Sequence, residues 1–105
     1  MVNEETKEFT LLVISSRADL QKIEKPDKSV ENIHIAFRPS GKDVVMATEK
    51  FPNIEMIHMP VSYGSTMAGF VMAFLDNKKI MFIEGDVQGH RQDIDAYARV
   101  KIPVS

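Results

Sequence analysis

Residues 54–86 read IEMIHMPVSYGSTMAGFVMAFLDNKKIMFIEGD, and this stretch decides the fold of the chain. It begins with a short apolar run that stops at Pro60, a pattern typical of a β-strand that cannot continue. After a polar turn, apolar residues in 67–75 recur at the three-and-four spacing of one helix face. The continuous apolar run 80–83 indicates a strand that is covered on both faces. We therefore expect a strand, a turn, a helix and a second strand.

The predicted helix 67–75 is apolar nearly all the way round. Ala68, Met72 and Ala73 make its second side small or apolar as well. A helix of this kind is buried on two sides. In so short a chain, this pattern predicts either a two-sided position in the core or a subunit interface.

The rest of the chain repeats the same alternation of strand and helix. The expected strands are 9–14, 30–37, 54–59 and 80–83, the expected helices are 17–25, 42–50, 67–75 and 91–98, and 101–104 is expected to be a short edge strand. Four β-α units indicate an α/β fold with a small, mainly parallel sheet. Residues 1–8 are charged and expected to be flexible, so that 9–105 form a single α/β domain.

Two architectures fit this alternation, a doubly wound sheet and a stack like that of leucine-rich repeats. Asn32-Ile33 recurs as Asn53-Ile54 about 21 residues later, which is short for a βαβ unit but falls within the range of leucine-rich repeats. A second alignment matches 9–14, 30–35 and 54–59 to the L-x-x-L-x-L frame of such repeats, with a different spacing. Both architectures stay open, and the apolar helix 67–75 favours the doubly wound sheet or a dimer.

Length, charge and residue usage exclude several classes of protein. The 105 residues suffice for one core, and the absence of cysteine excludes disulfides, thiolate metal sites and a catalytic thiol. A net charge of −2 gives no electrostatic reason to expect nucleic acid or an anionic membrane as a partner. No apolar run approaches the roughly 20 residues of a membrane span. Because the N-terminus is acidic and unlike a secretory signal, we expect a cytoplasmic protein.

Polar side chains follow each predicted strand, at the edge where open parallel sheets bind ligands. The turn SYGST (62–66) can hold an anion on free N–H groups, and Arg38 or Lys42 can supply positive charge. The alternative is an ordinary helix cap, because the turn lacks a P-loop lysine and a G-x-G-x-x-G motif. The residues that we expect to bind an anionic small molecule or phosphate are Arg38, Ser40, Lys42, Ser62, Tyr63, Ser65, Thr66, Asp86, His90 and Arg91.

The densest group of ionisable side chains follows the last apolar strand and consists of Glu84, Asp86 and His90. Two carboxylates and an imidazole at a strand end can bind Mg²⁺ or another hard cation, or can work as an acid–base pair. The ordinary alternatives are a turn cap for Asp86 and a helical ion pair between Arg91 and Asp95. No metal motif of known spacing is present, and no cofactor other than this divalent metal is indicated.

Two histidines, His34 and His58, fall inside predicted strands. His58 lies two residues before Pro60 and close to the proposed site, so it is a further candidate for that site. The alternative for a histidine in a strand is a solvent-facing position or a satisfied neighbour in the core.

Three segments resemble a known protein family: FPNIEMIHMP (51–60), SYGSTMAGF (62–70) and IMFIEGDVQGHRQDID (80–95). They are similar to a family of short archaeal proteins, known chiefly from methanogens and described only as a domain of unknown function. The resemblance covers most of the chain. It implies no activity, substrate or catalytic residue, so the function has to be argued from the residues themselves.

The residues favour three functions, in descending order. The first is a small binding module for an anionic small molecule or phosphate at the strand ends. The second is a protein–protein interaction or a homo-oligomer through the helix 67–75, and the third is a metal-assisted enzyme that uses Glu84, Asp86 and His90. Catalysis ranks last because no pair of a nucleophile and a general base can be recognised in the sequence. The fold class alone does not determine the function.

Overall fold

Five strands and three helices make up residues 6–67, 69–85 and 96–103, which are the residues that this computed structural model describes. In chain order they are β1 (Thr6–Ile14), α1 (Arg17–Gln21), β2 (Asn32–Ile35), α2 (Gly41–Lys50), β3 (Met56–Met59), a 3₁₀ turn (Tyr63–Thr66), α3 (Gly69–Asn77), β4 (Met81–Glu84) and β5 (Tyr97–Pro103). None of the helices in these ranges is long and apolar enough to cross a membrane.

The strands form one mixed sheet in the order β4-β3-β2-β1-β5. The first four strands are parallel, whereas β5 runs antiparallel to β1. The predicted α/β class is confirmed. The strands of the four predicted β-α units correspond to β1, β2, β3 and β4, whereas β5 does not belong to any of these units. Within these four strands the order never reverses, and a reversal is what defines a doubly wound sheet. The described strands therefore do not form the doubly wound arrangement.

Local sequence explains where α1 and α2 begin. The Ser16 hydroxyl accepts a hydrogen bond from the Asp19 N–H, and the Ser40 hydroxyl accepts one from the Asp43 N–H. Side-chain oxygens at these positions satisfy N–H groups that have no partner within the helix. Only Leu20 of α1 is buried, and α1 ends at Gln21, earlier than predicted.

Strand β5 corrects two of the sequence predictions. Residues 91–95 of the predicted last helix lie outside the described residues, but Tyr97 and Ala98 pair with β1 as strand residues. Alternate residues Ala98, Val100 and Ile102 are buried while those between them are exposed, which is the period of a strand. Residues 101–103 pair with 6–8, so those three N-terminal residues are part of β1 rather than of a flexible segment.

The helices cover one face of the sheet. The main apolar cluster joins strand residues such as Ile33 and Ile57 to Leu20 of α1, Val44 of α2 and Leu75 of α3. A second cluster consists of strand residues only, with Leu11, Met56, Val100 and Ile102 at its centre. Because successive side chains of a strand point to opposite faces, this second cluster lies on the face away from the helices.

Helix α3 is not buried on both sides, so the prediction of a two-sided core position is wrong. Val71 and Leu75 are buried, but Phe70 is 64% exposed and Met72 is 44% exposed. The helices form a layer on one face of the sheet, and the described elements provide nothing that packs against the outer side of α3. The interface alternative for this helix stays a prediction.

This arrangement predicts different costs for two truncations within α3. Leu75→Ala should lower the free energy of unfolding by about 2–5 kcal/mol, because it removes a buried side chain and leaves a cavity. Met72→Ala serves as the matched control and should change it by less than about 0.5 kcal/mol. Urea unfolding followed by circular dichroism measures both values. Equal losses for the two variants would contradict the one-sided burial of α3.

Candidate functional site

The carboxyl ends of β2, β3 and β4 bring three of the predicted residues together. Arg38 follows β2, Ser62 follows β3 and Glu84 ends β4. The Arg38 Nη1 donates a hydrogen bond to the Ser62 carbonyl oxygen at 3.2 Å. The Ser62 N–H donates to the Glu84 Oε2 at 2.7 Å. One peptide segment therefore links a cation and a carboxylate at this edge of the sheet.

Ser62 has a left-handed backbone conformation, with φ of 79°. In a residue other than glycine this costs on the order of 1–3 kcal/mol, so it needs support from its surroundings. The bonds to Arg38 and Glu84 provide that support, together with the Ser65 hydroxyl, which donates to the Ser62 carbonyl oxygen at 2.7 Å. Gly64 lets the carboxylate approach, because a Cβ there would lie 2.7 Å from the Glu84 Oε1.

The Arg38 guanidinium is exposed but held in place. Its Cζ lies 4.9 Å from the centre of the half-buried Tyr63 ring, a distance that fits a cation–π contact. Within the described ranges, Arg38 forms no ion pair with a carboxylate. To the described part of the chain it donates a single hydrogen bond, the one to the Ser62 carbonyl oxygen.

Arg17, the first residue of α1, differs from Arg38 because a buried carboxylate neutralises it. The Arg17 Nε and Nη2 both donate to Asp43, at 2.9–3.0 Å. Asp43 also accepts from the Ser40 N–H at 2.8 Å and from the Ser40 hydroxyl at 3.0 Å. Burial alone would raise the pKa of Asp43, but the hydrogen bonds from Arg17 and Ser40 outweigh it and hold the pKa below its usual value of 3.8.

The other predicted residues separate into several groups. Ser40, a predicted ligand-binding residue, caps α2, and its N–H and hydroxyl already bond to the Asp43 carboxylate. Lys42 is exposed on α2 and makes no described contact with Ser62 or Glu84. Thr66 ends the 3₁₀ turn. The three residues Asp86, His90 and Arg91 lie outside the described residues.

The proposed metal group cannot be assembled from the described part of the chain. Of its three members only Glu84 lies there, and its carboxylate accepts the Ser62 N–H. Among the residues that the structure describes, no group of three or more His, Cys, Asp or Glu side chains could hold a metal ion. The metal prediction therefore stays untested for Asp86 and His90.

A buried pair of histidines is the feature that the sequence reasoning missed. His34 and His58 lie opposite each other on β2 and β3, on the sheet face away from the helices. Their Nδ1 atoms are 2.8 Å apart, which is a hydrogen-bond distance, and their exposed fractions are 3% and 0%. One Nδ1 must donate and the other accept, so only one of the two rings carries a proton on that atom.

A signal for this pair was present in the sequence. In the L-x-x-L-x-L alignment, His34 and His58 occupy the same position of the frame, one residue after Ile33 and Ile57. Side chains at the same position of neighbouring parallel strands point to the same face. The alignment was therefore sufficient to place the two imidazoles side by side.

Comparison with known proteins identifies a family but no characterised relative. Residues 11–96 match the sequence model of the N-terminal domain of a family of unknown function, DUF1699. No curated protein and no solved structure gives a significant match. The archaeal origin and the cytoplasmic location stay predictions.

The lowered pKa of Asp43 predicts how stability depends on pH. Because its pKa is lower in the folded chain than in the unfolded chain, Asp43 stabilises the fold above about pH 4, and this contribution is lost as the pH falls through the folded-state value. At pH 7, Asp43→Asn should cost about 1.5–3 kcal/mol, since it removes charged hydrogen bonds. The gap between wild type and variant should narrow as the pH decreases to 2.5.

Urea unfolding at a series of pH values measures this gap. Asp76→Asn is the control, because Asp76 is exposed at the end of α3 and forms no described ion pair. A gap between wild type and Asp43→Asn that does not change with pH would show that the carboxylate charge is unimportant there.

The histidine pair predicts an energetic coupling between two strands. A double-mutant cycle with His34→Leu and His58→Leu should give a coupling energy of about 0.5–3 kcal/mol, because each single change removes the Nδ1 partner of the other ring. His34→Leu combined with Met72→Ala is the control, and these changes should be additive within about 0.5 kcal/mol. Additive effects of the two histidine changes would contradict the hydrogen bond.

Proposed function

We propose that this chain, which belongs to the DUF1699 family of unknown function through that family's N-terminal domain, binds a phosphate-bearing small molecule around Arg38. A single observation supports the proposal. The exposed guanidinium is held by the Ser62 carbonyl and the Tyr63 ring, and no carboxylate in the described ranges neutralises it.

The guanidinium of Arg38 is suited to binding a phosphate because of its N–H donors. A guanidinium has five N–H donors in a planar fork, which matches two oxygens of a phosphate. Only one hydrogen bond from Arg38 to the protein is described, and that bond together with the contact to Tyr63 limits the positions of the side chain. A side chain that is already ordered loses less conformational freedom when a ligand binds.

Glu84 opposes this binding in the unliganded protein. Its carboxylate accepts the Ser62 N–H, which belongs to the turn 62–66 where an anion is expected to bind. An anion that reaches this N–H has to displace Glu84, and one that binds only Arg38 still meets the negative charge of Glu84 nearby. Removing this charge should consequently strengthen the binding of an anion.

The metal-assisted enzyme is a weaker proposal. It requires Glu84 to leave the Ser62 N–H and to join Asp86 and His90, which lie outside the described residues. A divalent metal would serve there as the cofactor. The binding proposal needs only Arg38, whose position and contacts are described.

A thermal-shift experiment tests the binding proposal. Inorganic phosphate, pyrophosphate and ATP are the probes, each added over a range that extends to saturation. A probe present at one hundred times its dissociation constant should stabilise the fold by about 2.7 kcal/mol. Arg38→Ala should abolish the shift, and Glu84→Gln should increase the affinity of the same probe.

Arg99→Ala is the matched control for the loss of one positive charge. Arg99 is exposed on β5, at the opposite edge of the sheet from β4. This variant should retain the shift in full. Equal loss of the shift in Arg38→Ala and Arg99→Ala would indicate a general charge effect, and a probe whose shift survives Arg38→Ala would exclude Arg38 from the site.

A further inference from the structure

A groove of about 270 Å³ runs between the outer sides of α2 and α3. It is lined by Gly41, Lys42, Val45, Met46, Glu49 and Phe70. The Phe70 ring forms one end of the groove, because its Cζ lies 3.4 Å from where a Cβ of Gly41 would be. Phe70 is 64% exposed and lies beside the half-buried Val45 and Met46, so these three side chains form a small apolar patch.

The charges beside this groove have a symmetric arrangement. Lys42, Val45, Met46 and Glu49 follow one another at spacings of three, one and three residues, and so lie on one side of α2. Lys42 and Glu49 are about 10.5 Å apart along the helix axis. Both are exposed, and neither forms an ion pair within the described residues.

The charges on this side of α2 match those of a second α2 helix that runs in the opposite direction. If two α2 helices lie antiparallel with the twofold axis between Val45 and Met46, Lys42 of each copy faces Glu49 of the other. Val45 of each copy then faces Met46 of the other. A twofold interface requires this kind of reciprocity, because the same patch has to match itself. Phe70 lies at the Lys42 end of the groove, next to Gly41.

We propose that two copies of this chain associate through the α2–α3 groove, with their α2 helices antiparallel and two reciprocal ion pairs between Lys42 and Glu49. The partner is thus a second copy of the chain, because a twofold axis brings Lys42 of each copy opposite Glu49 of the other. The proposal goes beyond the binding of an anion at Arg38 and uses different residues, so either one can fail without the other.

Charge reversal tests this interface. Sedimentation equilibrium at concentrations up to about 1 mM should give a dimer, and higher salt should raise its dissociation constant. Lys42→Glu and Glu49→Lys should each raise that constant by about tenfold or more, because a twofold axis makes each change count twice. The double variant Lys42→Glu/Glu49→Lys should restore a constant within about threefold of the wild type, since the exchanged charges again face opposite charges.

Two further variants complete the test. Phe70→Ala should weaken the dimer without changing the fold, because the side chain is mostly exposed. Arg99→Glu carries the same charge change as Lys42→Glu at an exposed position on β5, the edge strand opposite β4, and should leave the dissociation constant unchanged. Circular dichroism and urea midpoints show that each variant is folded.

The outcomes are distinct. Recovery of the dimer in the double variant after its loss in both single variants supports the antiparallel arrangement. A wild-type chain that stays monomeric at 1 mM overturns the proposal, and so does a dimer that is insensitive to Lys42→Glu and Phe70→Ala. A double variant that fails to recover also overturns it, because reciprocal pairing then does not hold.

Discussion

The register of the parallel strands is the constraint on which the rest of the structure depends. Ile33 lies opposite Leu12 on one side and Ile57 on the other, on the face that the helices cover. The same register places His34 opposite His58 on the other face. Because side chains alternate between faces, a slip by one residue would expose the isoleucines and move an imidazole under the helices. The apolar core and the histidine pair are therefore consequences of one pairing.

Carboxylates from the chain itself accept N–H groups at the carboxyl end of the sheet. Asp43 accepts from the Ser40 N–H at the start of α2, and Glu84 accepts from the Ser62 N–H after β3. Both positions offer donors of the kind that bind phosphate in other open sheets. The chain thus satisfies these donors with its own carboxylates, and the two places differ in their arginine. Arg17 is paired with Asp43, whereas within the described residues the exposed Arg38 bonds to a carbonyl and contacts an aromatic ring without a carboxylate partner. Because of this difference, we propose Arg38 rather than Arg17 as the position where a ligand binds.

Part of this site could be predicted from residue order and part could not. Residues that follow successive parallel strands lie at one edge, so the proximity of Arg38, Ser62 and Glu84 was foreseeable. The hydrogen bonds among these three residues could not be predicted. They depend on the left-handed conformation of Ser62, which orients both its N–H and its carbonyl group. For the sheet, the leucine-rich-repeat frame contained the observed register of Leu12, Ile33 and Ile57, whereas the alignment of Asn32-Ile33 with Asn53-Ile54 was wrong. Hydrophobic spacing predicted the register, and a repeated dipeptide did not.

The sequence by itself determined the features that depend on neighbours a few residues away. Apolar periodicity marked β1 to β4 and the helices, and Ser16 and Ser40 marked where two helices begin, because a cap bonds to an N–H within the next turn. Only the tertiary structure decided that 97–103 join β1 as an antiparallel strand, that α3 is covered on one side, and that Glu84 takes the Ser62 N–H. Each of these outcomes depends on the distance between groups far apart in the chain, and local periodicity contains no information about that distance.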